Sequence, residues 1–389
     1  MRILFLLTSE FPAEKAYGIT TKKSMLACQK LGHEVFSISL PVVGADEKNT
    51  ELLGMIRHFE KNKLIRVLLK ISYSGYGNCS VLAWILMEKF LLKKNLQNIE
   101  NLAPTIFWCR DLKVALFLLE KFPDLNLILE IHNLISLKKI RKIQQNKNIK
   151  KLILAPINTI ILNHILSQRG DLKLVEAPMS IDSLLLQDEI EVGAFIERFE
   201  ERKANNQLSL GYVGKFFPSG FSKGYEDVIN LALHNKNNQL NYKIFLVGGT
   251  LREVAHASNL IQDLGMNNSD LHLGEHMPHD EILEFSKSLD IIILPKPRDP
   301  NYVGTPLKAL ENCALGRVIV AADCMVNRAL FGDKGFVFWY EAENVSSLVS
   351  AVERAANDKL LNSKILEEIQ FARLHTWEKR VQQVLDTLV

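Results

Sequence analysis

RILFLLT (2–8), TKKSMLACQKL (21–31) and HEVFSISL (33–40) decide the fold between them. The first is a near-continuous apolar run, the signature of a strand buried on both faces of a sheet. The second reads as a helix that Gly32 stops, and the third is another strand. A strand, a loop from Ser9 to Ile19 containing Gly18, a helix and a strand form the repeating unit of a parallel sheet covered by helices. Further strands are expected at TIFWC (105–109), LILEIH (127–132) and TIIL (159–162), with KLVEAP (173–178) closing that sheet.

Residues 183–207 change character. DEIEVGAFIERFEERKANNQ (188–207) is acidic and helical in pattern, which suits an inter-domain segment. The alternation then restarts with LSLGYVG, a helix at Tyr225–Leu233, YKIFLVGG, a helix at Glu253–Leu264, and LHLGE. A helix over 279–288, DIIILP, a helix over 306–315, RVIVAA and GFVFWY complete it. No short repeat is present; the two halves repeat architecture. Two doubly wound α/β domains facing one another are expected: 1–182, a linker 183–207, and 208–376.

Composition agrees. The 389 residues include 47% hydrophobic and 23% charged residues, enough to bury two cores. The longest charge-free apolar stretch, Val81–Met87, falls far below the ~18 residues of a spanning helix. RILFLLT meets Ser9 and Glu10 with no small-residue cleavage site behind it, so it reads as a strand and not a leader. Five widely spread cysteines, Cys28, Cys79, Cys109, Cys313 and Cys324, form no CxxC pair and read as reduced thiols of a cytoplasmic protein. Residues 1–180 carry 26 Lys and Arg against 15 Asp and Glu, and the remainder 21 against 29. The basic half suits nucleic acid, an anionic membrane or a phosphorylated substrate, and composition does not choose among them.

Ligands of such sheets bind at the carboxyl ends of the strands. Gly18, after the first strand, is either an ordinary turn or a place where backbone N–H groups approach a phosphate. Lys215 and Lys223-Gly224 flank Pro218, Ser219 and Gly220 ahead of a helix. Two lysines and a helix dipole make an anion site, against the plainer alternative of two solvated side chains. Gly304-Thr305 precedes a helix begun by Pro306, whose free N–H groups suit a second phosphate contact. Glu311, five residues in, is either a solvated carboxylate or an acceptor for a ribose diol. His132 and Glu130 share one face of a strand end, which is unusual for a core but compatible with a structural histidine. His276 and His279 in EHMPHD lack a third metal ligand. KKIRKIQQNKNIKK (138–151), containing Lys138, Lys139, Arg141, Lys142, Lys147, Lys150 and Lys151, reads as a solvated loop or as an acceptor or membrane contact.

Taken together, these segments resemble the retaining glycosyltransferases of family 4. The resemblance runs through the opening strand and glycine loop, KLGHEVFSIS, the EIH strand end, APMSID and GYVGKFFPSGFSKGYEDVINLA. It continues through FLVGG, LGEHMPHDEILEFSKSLDIIILP and TPLKALENCALGRVIVA, and Trp377 is similar to the tryptophan of the family's last helix. It implies the GT-B fold, two Rossmann-like domains across a cleft, with a terminal helix (about 377–389) crossing back onto the first. It also implies donor contacts at Gly18, Lys215, Lys223, His276, Gly304, Thr305, Pro306 and Glu311, with His132 near the reacting sugar and Lys223 on the donor diphosphate. Two departures stand out: Lys215 replaces the usual arginine, losing the bidentate fork, and Val303 replaces the first of two family glutamates.

The activity implied is transfer of a sugar, with retention and without metal or other cofactor, from a nucleoside diphosphate sugar to a hydroxyl. The acceptor is a growing surface glycan, as in polysaccharide or lipopolysaccharide synthesis, or a lipid-linked saccharide at the inner membrane face. The basic residues Lys138, Lys139, Arg141 and Lys142 would lie on the acceptor side. A nucleotide-sugar epimerase of the same fold, and an inactive transferase-like partner subunit, are the alternatives. No nucleic-acid motif accompanies the basic run.

Overall fold

A computed structural model of the chain describes residues 1–10, 16–40, 56–57, 105–121, 126–146, 149–168, 172–217, 220–299 and 301–388. Val81–Met87, Cys79, Lys147, Pro218 and Ser219 lie outside the described residues. The chain divides into two compact units, Met1–Pro156 with Gln168–Val175 and Val381–Val389, and Ile157–Ser167 with Glu176–Arg380.

The first unit holds strands β1 (Arg2–Glu10), β2 (Glu34–Leu40), β3 (Ile56–Arg57), β4 (Thr105–Cys109), β5 (Asn126–Ile131), β6 (Leu152–Pro156) and β7 (Lys173–Leu174). They pair in the order β3-β2-β1-β4-β5-β6-β7, every neighbouring pair parallel. Helices α1 (Ala16–Lys30), α2 (Leu112–Lys121) and α3 (Leu137–Gln144) belong to it. Every residue of β6 is buried, as expected for an inner parallel strand covered on both faces.

The second unit holds α4 (Thr159–Leu166), α5 (Glu189–Ala204), β8 (Ser209–Val213), α6 (Glu226–Asn238), β9 (Lys243–Gly249), α7 (Leu251–Asp263), β10 (His272–Glu275) and α8 (His279–Ser288). It continues with β11 (Ile291–Leu294), α9 (Leu307–Ala314), β12 (Val318–Ala322), α10 (Met325–Phe331), β13 (Phe338–Tyr340), α11 (Val345–Ala356) and α12 (Leu361–Arg373). The last helix, α13 (Trp377–Asp386), starts in this unit, while its residues from Val381 on count with the first. The sheet order is β10-β9-β8-β11-β12-β13, all parallel. Alternation splits each inner strand between two cores. Ile291, Ile293, Val318 and Val320 enter one cluster; Ile292, Leu294, Ile319 and Ala321 enter the other.

Both sheets reverse direction beside their first strand, between β1 and β4 and between β8 and β11. At such a reversal the loops leaving the two strands run to opposite faces and open a crevice at the carboxyl ends, where ligands of doubly wound sheets bind.

Several expectations are corrected. TIIL (159–162) is the start of helix α4, and the strand beside β5 is instead LILAP (152–156). Asn158 decides this: its Oδ1 accepts from Ile161 N at 3.0 Å and caps the helix, which a short apolar run does not reveal. Of KLVEAP, only Lys173–Leu174 pairs with the sheet. Gly18 lies not in a loop but in the first turn of α1, where it is buried. The basic run is not a loop: it contains α3, with Ile140 and Ile143 buried, and a turn of 3-10 helix at Ile149–Lys151. Residues 183–207, expected as a linker, are folded into the second unit, whose core takes Val192, Phe195 and Phe199 from α5.

Candidate functional site

In the second unit the loops after β8 and β11 meet at the reversal. Lys215 follows β8; its side chain is exposed, and its carbonyl accepts the Tyr212 hydroxyl at 2.8 Å. The chain then doubles back, and Lys223 N donates to the Phe216 carbonyl at 2.8 Å. Gly224 lies against the loop leaving β11, where Arg298 N donates to the Ser222 carbonyl at 2.9 Å. A Cβ at Gly224 would sit 2.2 Å from the Lys296 carbonyl oxygen, and its φ of +83° is left-handed, so only glycine fits.

This crossing delivers Lys223 to the loop before α9. Its Nζ lies 3.2 Å from the centroid of the Tyr302 ring, a cation–π contact. Burial pushes the ammonium down to about 8, with the nearby Asp299 charge opposing the shift. Burial also lifts the Tyr302 hydroxyl to about 12. Among the described residues no carboxylate pairs with Lys223. A desolvated cation facing a ring, without a counter-ion, is the side chain that gains most from an incoming anion.

The expected contribution of the α6 dipole is corrected. Glu226 and Asp227 fill that helix's first turn. Asp227 is 4% exposed and accepts from Arg298 Nη2 at 2.7 Å and Tyr340 Oη at 2.8 Å. Carboxylates already occupy the positive end of that helix, so the anion-attracting charge there is that of Lys223.

Gly304, Thr305 and Pro306 lead into α9, whose N-cap position is Pro306 and carries no side-chain cap. One turn further on, Glu311 is 4% exposed and not solvated. Its Oε1 lies 2.7 Å from His279 Nε2 and its Oε2 lies 3.3 Å from Lys308 Nζ. Burial raises its pKa, but the His279 hydrogen bond and the Lys308 charge outweigh burial and hold the carboxyl below its ordinary value. The partner is therefore His279 at the start of α8. His276 is exposed, and its backbone N–H donates to the Gly249 carbonyl at 2.8 Å. Among the described residues no group of three or more His, Cys, Asp and Glu is placed to hold a metal ion.

The first unit carries a second polar cluster at its own reversal. Glu130, at 1% exposure, accepts from Trp108 Nε1 at 3.1 Å and Arg110 Nη2 at 2.8 Å, and lies 2.5 Å from His132 Nε2. Arg110 Nη2 also reaches Thr20 Oγ1 of α1 at 2.9 Å, two residues beyond Gly18. Side chains from β4, from the residues just after β4 and β5, and, through Arg110, from α1 thus converge on one buried carboxylate of β5, which is tolerated there because it is paired on several sides. His132 keeps 29% of its side chain exposed. On α3, Lys138, Lys139, Arg141 and Lys142 are all exposed.

Tyr302, Arg110 and Trp108 were missed by sequence reasoning, and His279, read only against a metal site, is instead the partner of Glu311. Each reaches its partner across two elements, and no local spacing announces it.

The two reversals, lined by cations, carboxylates and ring groups, belong to an α/β protein with two doubly wound parallel sheets. Residues 194–370 match the family described as glycosyl transferases group 1. The fold is GT-B. A glycosyltransferase from Rickettsia africae is 14% identical with a TM-score of 0.67, covering 100% of this chain and 97% of its own. Sucrose-phosphate synthase from Thermosynechococcus elongatus is 14% identical with a TM-score of 0.66, covering 99% and 98%. Anabaena HepE in complex with UDP is 14% identical with a TM-score of 0.64, covering 100% and 99%. No curated protein matches the chain by sequence. Among the described residues, no helix is long and apolar enough to cross a membrane.

Proposed function

We propose that the protein transfers a sugar, with retention and without a metal ion, from a nucleoside diphosphate sugar to a hydroxyl of a surface glycan or lipid-linked saccharide. The observation that carries this reading is Lys223: a desolvated ammonium that pairs with no carboxylate among the described residues, at the β8/β11 reversal, in the segment that matches the family. Breaking the bond from the anomeric carbon to the diphosphate leaves negative charge on the leaving oxygens. Lys223, Lys215 and the N–H groups entering α9 would stabilise that charge as it develops. Glu311, held ionised by His279 and Lys308, would accept hydrogen bonds from the ribose hydroxyls of the nucleotide. The acceptor hydroxyl would attack from the face the diphosphate leaves, passing its proton to a leaving-group oxygen. His132, fixed by Glu130, would border the reacting sugar.

The acceptor is assigned to the first unit, where the exposed cations of α3 suit a phosphorylated or membrane-bound saccharide at the cytoplasmic face. That Anabaena HepE has been solved with UDP and with UDP-glucose supports UDP-glucose as the first donor to try. The test is a thermal-shift screen of UDP, GDP and their sugars, followed by donor hydrolysis and transfer assays. A nucleoside diphosphate that raises Tm in wild type but not in Lys223→Ala supports the reading. Binding by neither protein refutes it.

A further inference from the structure

The segment Ile157–Ser167 leaves β6 of the first unit yet belongs to the second, and Asn158 is its anchor. Asn158 is 6% exposed, and both ends of its amide are used. Oδ1 caps α4. Nδ2 donates to the Val303 carbonyl at 2.5 Å and lies 3.4 Å from Thr305 Oγ1, while the Thr305 hydroxyl donates to the Ile157 carbonyl at 3.3 Å. Residues 157 and 158 therefore clamp the chain from Val303 to Thr305.

The clamp has a geometric consequence. A trans peptide is planar, with its C=O and N–H pointing in opposite directions. Holding the Val303 carbonyl against Asn158 aims the Gly304 N–H the other way. Gly304 itself stands beside the Lys223 site: a Cβ there would lie 2.6 Å from Tyr302 Oη, and the Tyr302 ring carries Lys223. Thr305, drawn onto the Ile157 carbonyl, is likewise kept from capping α9, whose first N–H groups receive no side-chain cap.

We propose that Asn158 is a positioning residue for sugar transfer: it fixes the Val303–Gly304 peptide so that the Gly304 N–H and the first N–H groups of α9 stand ready for the leaving diphosphate. The proposal rests on the reading of the Lys223 site given above. Donors already aligned need no reorganisation as charge develops, so their benefit is felt in the transition state more than in the bound substrate.

Asn158→Ser separates this role from a structural one. Serine keeps an oxygen to cap α4 but has no amide to hold Val303. Hydrolysis of UDP-glucose, with GDP-mannose as the second donor, should lose tenfold or more in kcat with little change in KM. Hydrogen exchange should quicken at the amides of Gly304 to Ala309 while those of α4 exchange as in wild type. Asn158→Asp, which caps α4 but sets a carboxylate against two oxygens, should be at least as impaired. Wild-type kcat in Asn158→Ser overturns the proposal, as does a loss accompanied by faster exchange throughout α4. Lys223→Ala is the control that separates the two claims. If it abolishes nucleotide binding and Asn158→Ser changes nothing, only the positioning role is refuted. If wild type hydrolyses neither donor and Lys223→Ala has no effect on UDP or GDP binding, the functional reading fails and takes this proposal with it.

Discussion

Lys223→Met should raise stability and lower nucleotide affinity together. Burial brings the ammonium from 10.5 to about 8. That difference of ~2.5 units corresponds to ~3 kcal/mol of penalty for holding the charge in the folded state at pH 7. The contact with the Tyr302 ring returns ~1–2 kcal/mol of it. Methionine keeps the packing and removes the charge, so the variant should gain ~1–2 kcal/mol, a Tm rise of several degrees for a unit of this size. A lysine depressed in the folded state binds fewer protons there than in the unfolded chain. The penalty is therefore complete below pH 8 and fades as pH rises from about 8 towards 10.5. The variant's advantage in Tm should shrink over that window. Affinity should move the opposite way. Loss of one charge-assisted contact costs ~1.5–3 kcal/mol, roughly ten- to a hundredfold in the Kd for UDP or GDP. In wild type that affinity should itself fall as pH rises through 8, where the phosphates, with a last pKa of ~6, no longer titrate. The variant should show no such fall. Scanning fluorimetry and titration calorimetry from pH 6.5 to 9.5 check both halves. A lower Tm with unaltered affinity would mean that Lys223 is a packing residue, and the anion-site reasoning would be wrong.

Glu311→Gln should lower Tm at pH 7 by the equivalent of ~1–3 kcal/mol. Because the folded carboxyl titrates below its ordinary value, the gap should close in chemical denaturation as pH falls below 4.5. His279→Ala should cost a similar amount, and the double variant less than the sum, since both remove one ion pair. Transfer activity should survive EDTA unchanged; abolition by EDTA with recovery on added magnesium or manganese contradicts the metal-free route. Replacing Lys138, Lys139, Arg141 and Lys142 with Gln should weaken sedimentation with anionic liposomes by ~1 kcal/mol per residue at low salt and leave nucleotide binding intact. Equal pelleting of variant and wild type would make α3 a solvated helix and no more.

The doubly wound character of both halves was legible because inner parallel strands are apolar almost throughout. One misread strand and one unread one show where that signal stops. TIIL and LILAP are both short apolar runs, and only the cap supplied by Asn158 makes one of them a helix. In the basic run, charges obscured Ile140 and Ile143, whose spacing of three gives α3 its buried face. Glu130 and His132 were paired correctly from alternation alone, since two residues apart on a strand is a local distance.

Local spacing determined the order of strands and helices, the two parallel sheets, and the loops whose residues carry charge at the strand ends. Those features follow from neighbours within a few residues, which is the range over which backbone geometry and side-chain periodicity act. Only the tertiary structure decided what the charges do. Glu311 meets His279 across 32 residues, Lys223 meets the ring of Tyr302 across the β8/β11 reversal, and Asn158 grips Val303 across 145. Such pairs exist because parallel strands return to the same end of the sheet only after a helix has intervened. Side chains far apart in the sequence therefore share one crevice, and their burial and ionisation are set there.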